Sequence, residues 1–173
     1  KQGDYGLIVF PLENGNFAAV YKSGGGSSPG IDGIYGGVAM QIFDITGNKI
    51  GSEKTVNENI SGEEDLVTAG LSSSGDVVVV YRNSQAYNQT STDMDSHGLA
   101  VFDKNGDRLF TSETILPLGI SEARFVDLDN DEFGFFVYYG SDANYRDEFG
   151  VMHAKSPELI KFDNSYNLID THI

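Results

Sequence analysis

The feature that most constrains this chain is that it is written three times. The stretch Ile42-Phe43-Asp44-Ile45-Thr46-Gly47-Asn48-Lys49-Ile50 returns as Val101-Phe102-Asp103-Lys104-Asn105-Gly106-Asp107-Arg108-Leu109. It returns again as Lys161-Phe162-Asp163-Asn164-Ser165-Tyr166-Asn167-Leu168-Ile169, so the Phe-Asp pairs stand 59 and then 60 residues apart. Upstream, Leu12-Glu13-Asn14-Gly15-Asn16-Phe17-Ala18-Ala19-Val20-Tyr21 matches Leu71-Ser72-Ser73-Ser74-Gly75-Asp76 running into Val77-Val78-Val79-Val80-Tyr81. The third copy runs from Leu128-Asp129-Asn130-Asp131-Glu132-Phe133 into Phe135-Phe136-Val137-Tyr138. A fixed period of this length marks stacked supersecondary units, each too small to bury its own apolar face. The units run over 5–60, 64–117 and 121–173 of a single repeat-built domain.

Within each unit the pattern is one of strands and turns. Gly accounts for 21 of 173 residues and aromatics for 12%, and no long stretch repeats every 3.6 residues. Each unit therefore reads as two hairpins joined by a longer loop, giving four antiparallel strands. Asn14-Gly15 between apolar runs predicts a hairpin turn with both central residues at positive φ. Thr46-Gly47-Asn48 and Asn105-Gly106-Asp107 do the same work in the second hairpins. Tyr166 stands where the other copies have Gly, which predicts a turn that bends differently. Val77 to Tyr81 and Phe135 to Tyr139 are continuously apolar, as strands covered on both faces should be. The last strands, Gly51 to Val56 and Phe110 to Ile115, are polar and Thr-rich, the composition of a protected sheet edge.

Two all-β architectures fit three four-stranded units. In a β-propeller such sheets are radial blades, typically about 4–8 to a ring. The alternative is a closed pseudo-threefold fold, a β-trefoil or β-prism. Three propeller blades leave apolar faces to be covered by a second copy or by flanking chain, so the expected state is a homo-oligomer or larger assembly.

The first unit carries a longer match: Gly15-Asn16-Phe17-Ala18-Ala19-Val20-Tyr21, Asp32-Gly33-Ile34-Tyr35-Gly36-Gly37, Gln41-Ile42-Phe43-Asp44, Gly47-Asn48-Lys49-Ile50-Gly51-Ser52-Glu53 and Val56-Asn57. This resembles a bacterial secreted repeat of pattern GGFVVVW followed by GIYGQRFDxxGNxxGxExxVN. The second unit keeps that framework with Ala100-Val101-Phe102-Asp103 in place of Gln-x-Phe-Asp, and the third diverges furthest. The resemblance implies propeller blades of large surface or type I secreted proteins, often calcium-rich adhesins. Its motifs are turn and core residues and imply no active site. Tyr21, Tyr81 and Tyr138 stand where that repeat has Trp.

The formal net charge of −15 repels phosphate backbones and anionic lipid, which argues against nucleic-acid binding and membrane docking. The absence of cysteine excludes disulfide scaffolds and thiolate zinc sites. No apolar run approaches the ~18 residues of a membrane-spanning helix. The chain opens on Lys1 without an apolar leader, the pattern of a mature product or an excised piece.

Three constellations are candidate sites. Asp127, Asp129 and Asp131 alternate in one loop as calcium ligands do, without the Gly and the distal Glu of an EF-hand. Asp103, Asn105 and Asp107 form a weaker set that doubles as a hairpin turn. The mid-unit loops 22–36, 82–97 and 140–149 hold Tyr35, Tyr87 and Tyr145 beside Asp32 and Asp95. Rings next to carboxylates and amides suit a sugar, whose apolar face stacks while its hydroxyls bond. Asn59-Ile60-Ser61 and Asn88-Gln89-Thr90 are N-glycosylation sequons. His153 and His172 are isolated, and no nucleophile elbow or phosphate loop occurs.

The sequence thus points to a non-enzymatic module at the cell surface or outside the cell, serving adhesion or self-assembly, with calcium as candidate cofactor. A carbohydrate-binding lectin using the long loops is the alternative, and a glycan-processing enzyme ranks third.

Overall fold

The computed structural model describes residues 6–24, 36–58, 63–84, 96–116, 120–128, 132–139, 145–146, 152–153 and 156–172. Among them every regular element is a strand. Sheet I holds β1 (Leu7–Pro11), β2 (Phe17–Ser23), β3 (Gly37–Phe43) and β4 (Lys49–Thr55). Sheet II holds β5 (Glu63–Leu71), β6 (Val77–Ser84), β7 (Ser96–Phe102) and β8 (Arg108–Leu116). Sheet III holds β9 (Ile120–Asp127), β10 (Phe133–Tyr139), β13 (Glu158–Phe162) and β14 (Leu168–His172). Each sheet is antiparallel, with its strands in chain order from one edge to the other. The middle of the third unit is more than a loop: β11 (Tyr145–Arg146) pairs there with β12 (Met152–His153).

The turns have one chemistry. Leu12 N donates to Asn16 O and Gly15 N donates to Leu12 O, while Gly15 alone takes a positive φ, of 83°. This is a type I turn followed by a left-handed glycine, so the expectation of two positive φ values is corrected. The same bonds recur from Asp44, Asp103 and Asp163. The Asp of each Phe-Asp pair caps its own turn: Asp44 Oδ1 accepts from the amides of Thr46 at 2.8 Å and Asn48 at 2.9 Å. Asp103 and Asp163 do likewise. The third turn does not bend differently, because Tyr166 adopts φ 64° where the first two have glycine. Left-handed backbone costs a bulky residue roughly 1–2 kcal/mol. Tyr166 offsets it with ring contacts to Phe110 at 5.4 Å and Phe133 at 6.4 Å, and its hydroxyl donates to Asp76 Oδ2 at 3.1 Å. Contacts of this kind stabilise by about 0.5–1.5 kcal/mol each, enough to hold the strained turn.

The sheets stack face to face in chain order. One core cluster joins sheet I to sheet II through Ala18, Val20, Met40, Ile42, Val77, Val79, Tyr81 and Phe102. A second joins sheet II to sheet III through Val78, Val80, Leu99, Val101, Phe133, Phe135, Val137, Ile160 and Phe162. Alternate residues of β6 therefore enter opposite cores, which explains its unbroken apolar run. Arg108 ties the first interface, donating to Val56 O at 2.9 Å and Thr55 O at 2.6 Å with its guanidinium 5.0 Å from the Phe102 ring. A single closed threefold core, as a trefoil or prism would have, is not what the described residues form; the core is two layers sharing sheet II.

β10 departs from the expectation for a strand covered on both faces. Phe135 and Val137 are buried against sheet II, but Phe136 is 52% and Tyr138 56% exposed on the far side. In sheet I the edge strand β1 is open in the same way: Ile8 and Phe10 pack inward, whereas Leu7 is 61% and Val9 53% exposed, while Ala19, Ala39 and Gln41 on that side of β2 and β3 are buried.

Candidate functional site

The sites expected from the sequence fall mostly outside the described residues: Asp32, Tyr35, Tyr87, Asp95, Asn59, Asn88, Asp129 and Asp131 all do. Asp127 closes β9, exposed and in register with Phe133. Tyr145 lies in β11 opposite His153. The Asp103 carboxylate serves its own turn, as described above, while Asp107 stands 3.8 Å from Lys54.

What the fold does assemble is a polar end. β2, β6 and β10 finish at Ser23, Ser84 and Tyr139, so the mid-unit segments of all three units leave from one end of the stack. There β5, β6 and β7 bring two polar rows into register. Glu64 pairs with Asn83 and Asn83 with Ser96; Asp65 pairs with Arg82 and Arg82 with His97. Glu64, Asn83 and His97 are fully buried. Asp65 joins sheets: one carboxylate oxygen accepts from Lys22 of β2, and the other accepts from Arg82 Nη2 at 2.5 Å. Burial raises the Asp65 pKa, but the two cations outweigh it and hold the carboxyl below the ordinary range. Beside this cluster β5 runs against β9. A cleft of about 160 Å³ opens between them.

A second constellation repeats through the sheets. Tyr21 donates to Glu53 across β3, and Tyr81 donates to Glu113 at 2.9 Å across β7. In sheet III, Tyr139 donates to Glu158 at 2.6 Å. By register the place of Tyr81 is taken in sheet III by Val137, opposite Glu158, so the correspondence with Tyr138 is corrected; Tyr139 enters the core two residues further on, and Tyr138 points away from it. Burial, then the adjacent carboxylate, push Tyr21 up to about 12 and raise Tyr139. Tyr81 is raised by the same causes. Its ring lies over Gly98, where a Cβ would come within 2.4 Å of it. These pairs brace the sheets.

Sequence reasoning passed over Lys22, Asp65 and Arg82. The available signal was the Tyr-cation dipeptide, Tyr21-Lys22 and Tyr81-Arg82, recurring one period apart. Asp65 lies outside the repeated motifs, so its pairing with both cations required the fold.

No known family model matches the chain, and no curated protein does. Among solved structures the chain is similar to an ulvan lyase described as a new polysaccharide lyase family, PL25, at 11% identity and a TM-score of 0.54. The match covers 98% of this chain and 43% of that one, so this chain spans under half the length of its structural neighbour. At that identity the likeness is one of fold.

Proposed function

We propose that this chain is a non-catalytic assembly module, three blades of the β-propeller kind, whose two open faces join head to tail with sheets like its own. The observation that carries the reading is the exposed apolar side of β10 and β1, set against β6, which is covered on both sides. The open faces are not equivalent to each other. The open face of sheet I bears the Tyr21–Glu53 pair, as the face that sheet II turns toward sheet I bears Tyr81–Glu113. The open face of sheet III bears Phe136 and Tyr138, alternating with residues that pack on sheet II. Each is the repeat counterpart of a face already buried inside the chain, so the surfaces are complementary and the contact heterologous. Two copies would supply six sheets, within the range that closes a propeller ring. The greater length of the structural neighbour supports a larger array. An acidic, thiol-free framework suits a setting outside the cell or at its surface.

Light scattering on size-fractionated protein tests this. A two-copy species is expected, and Phe136→Glu with Tyr138→Glu should return it to single chains without loss of the β-sheet circular dichroism signal. A single chain at every concentration up to the millimolar range overturns the reading.

Carbohydrate binding at the polar end is the second reading. It is favoured by the common exit of the three mid-unit segments and by a polysaccharide-degrading enzyme as structural neighbour.

A further inference from the structure

Sheet II grips sheet I with a polar clasp on β8. Arg108 donates to Thr55 O and Val56 O, where β4 ends, and Glu113 Oε1 accepts from the amide of Glu58 at 3.1 Å. Sheet I carries the same kinds of group in the same places on β4. Lys49 pairs with Phe43 as Arg108 pairs with Phe102, and Glu53 takes the Tyr21 hydroxyl as Glu113 takes that of Tyr81. Unlike Arg108, Lys49 is exposed and has no hydrogen-bond or ion-pair partner among the described residues. The ring beside it is uncovered too. Phe43 stacks on Phe17 at 5.3 Å and both are only half-buried, whereas the equivalent stack of Phe133 on Phe162, at 5.4 Å, is buried under sheet II.

We propose that Lys49 is the docking cation of the head-to-tail contact. It closes on the backbone carbonyls at the end of β14 in a second copy, as Arg108 closes on those at the end of β4. The inference rests on the assembly reading above and names the polar contact that fixes it. β14 holds in sheet III the edge place that β4 holds in sheet I, so one side of its backbone has no ladder partner and offers carbonyls to an incoming donor. A lysine ammonium carries three donors on a flexible stem and suits such acceptors. The hairpin itself does not require a cation there: Leu168 stands in that place in sheet III, where Tyr166 ties the sheet to Asp76 instead.

Sedimentation equilibrium tests the proposal with Lys49→Met, Lys49→Arg and, as a control for net charge, Lys104→Met. Lys104 is an exposed cation on a turn of sheet II, the sheet to which neither open face belongs. Lys49→Met should weaken two-copy association about tenfold, the loss expected for one charged hydrogen bond, while Lys49→Arg and Lys104→Met should associate as the unsubstituted chain does. Because Lys49 has no partner within the chain, Lys49→Met should unfold at an unchanged urea midpoint. Undiminished association by Lys49→Met, or an equal loss in Lys104→Met, overturns the role of Lys49 and leaves the assembly reading standing. An unsubstituted chain that never associates overturns both.

Discussion

At the scale of single residues, the chain uses its polar side chains as braces. Tyr21 and Tyr81 each reach past a strand to a carboxylate, Tyr139 bonds Glu158 on the adjacent strand, and Tyr166 reaches Asp76. A phenol beside a carboxylate resists ionisation because a second negative charge would have to form next to the first. Burial, then the Asp76 carboxylate, push Tyr166 up to about 12, as burial and Glu53 do for Tyr21. An unfolded tyrosine ionises near pH 10. These folded groups keep their protons higher, so their contribution to stability is full below about pH 10 and is lost as the pH rises toward 12. Near-ultraviolet titration of tyrosinate should accordingly show a later phase, to which Tyr21, Tyr81, Tyr139 and Tyr166 contribute. One phase centred near pH 10 in folded protein would contradict this account. Tyr81→Phe should shorten the later phase by one residue.

At the scale of elements, one turn is built three times with two solutions to one steric demand. Gly47 and Gly106 enter the left-handed region without a Cβ, whereas Tyr166 enters it and is held by ring contacts and a hydrogen bond. Replacing Gly106 by Ala should destabilise the protein by roughly 1–2 kcal/mol, since alanine inherits the strain without the compensating contacts. Its new methyl would also approach Ile42 Cδ1 to about 3.2 Å. Urea unfolding of the variant measures the loss, and an unchanged midpoint would refute the steric explanation. The repeat made the turn's place legible, because Phe-Asp recurs with its Asx-capped hairpin. It did not reveal that tyrosine could serve as the third corner. That depends on Phe110 and Phe133, which arrive from other strands.

At the scale of the whole molecule, stability should be graded across the stack. Sheet II is covered on both faces and belongs to both cores, while sheets I and III each lend one face. Opening β6 or β7 exposes two apolar layers and must approach global unfolding, whereas β1 and β14 lie at sheet edges. Hydrogen exchange should find the slowest amides in β6 and β7. Equal protection across the three sheets would show that the units do not differ in this way.

The sequence alone determined the all-β character and the recurrence of a four-stranded unit, because alternation, turn residues and period are local properties that survive without knowledge of neighbours. It could not tell β6 from β10. Both are unbroken apolar runs, and whether both faces are covered depends on what stands beside the sheet. Nor could it bring Asp65, Arg82 and Arg124 to one cleft, with Lys22 reaching Asp65 from the neighbouring sheet. Those four residues come from four strands of three sheets, and only the stacking of the sheets sets the distances between them.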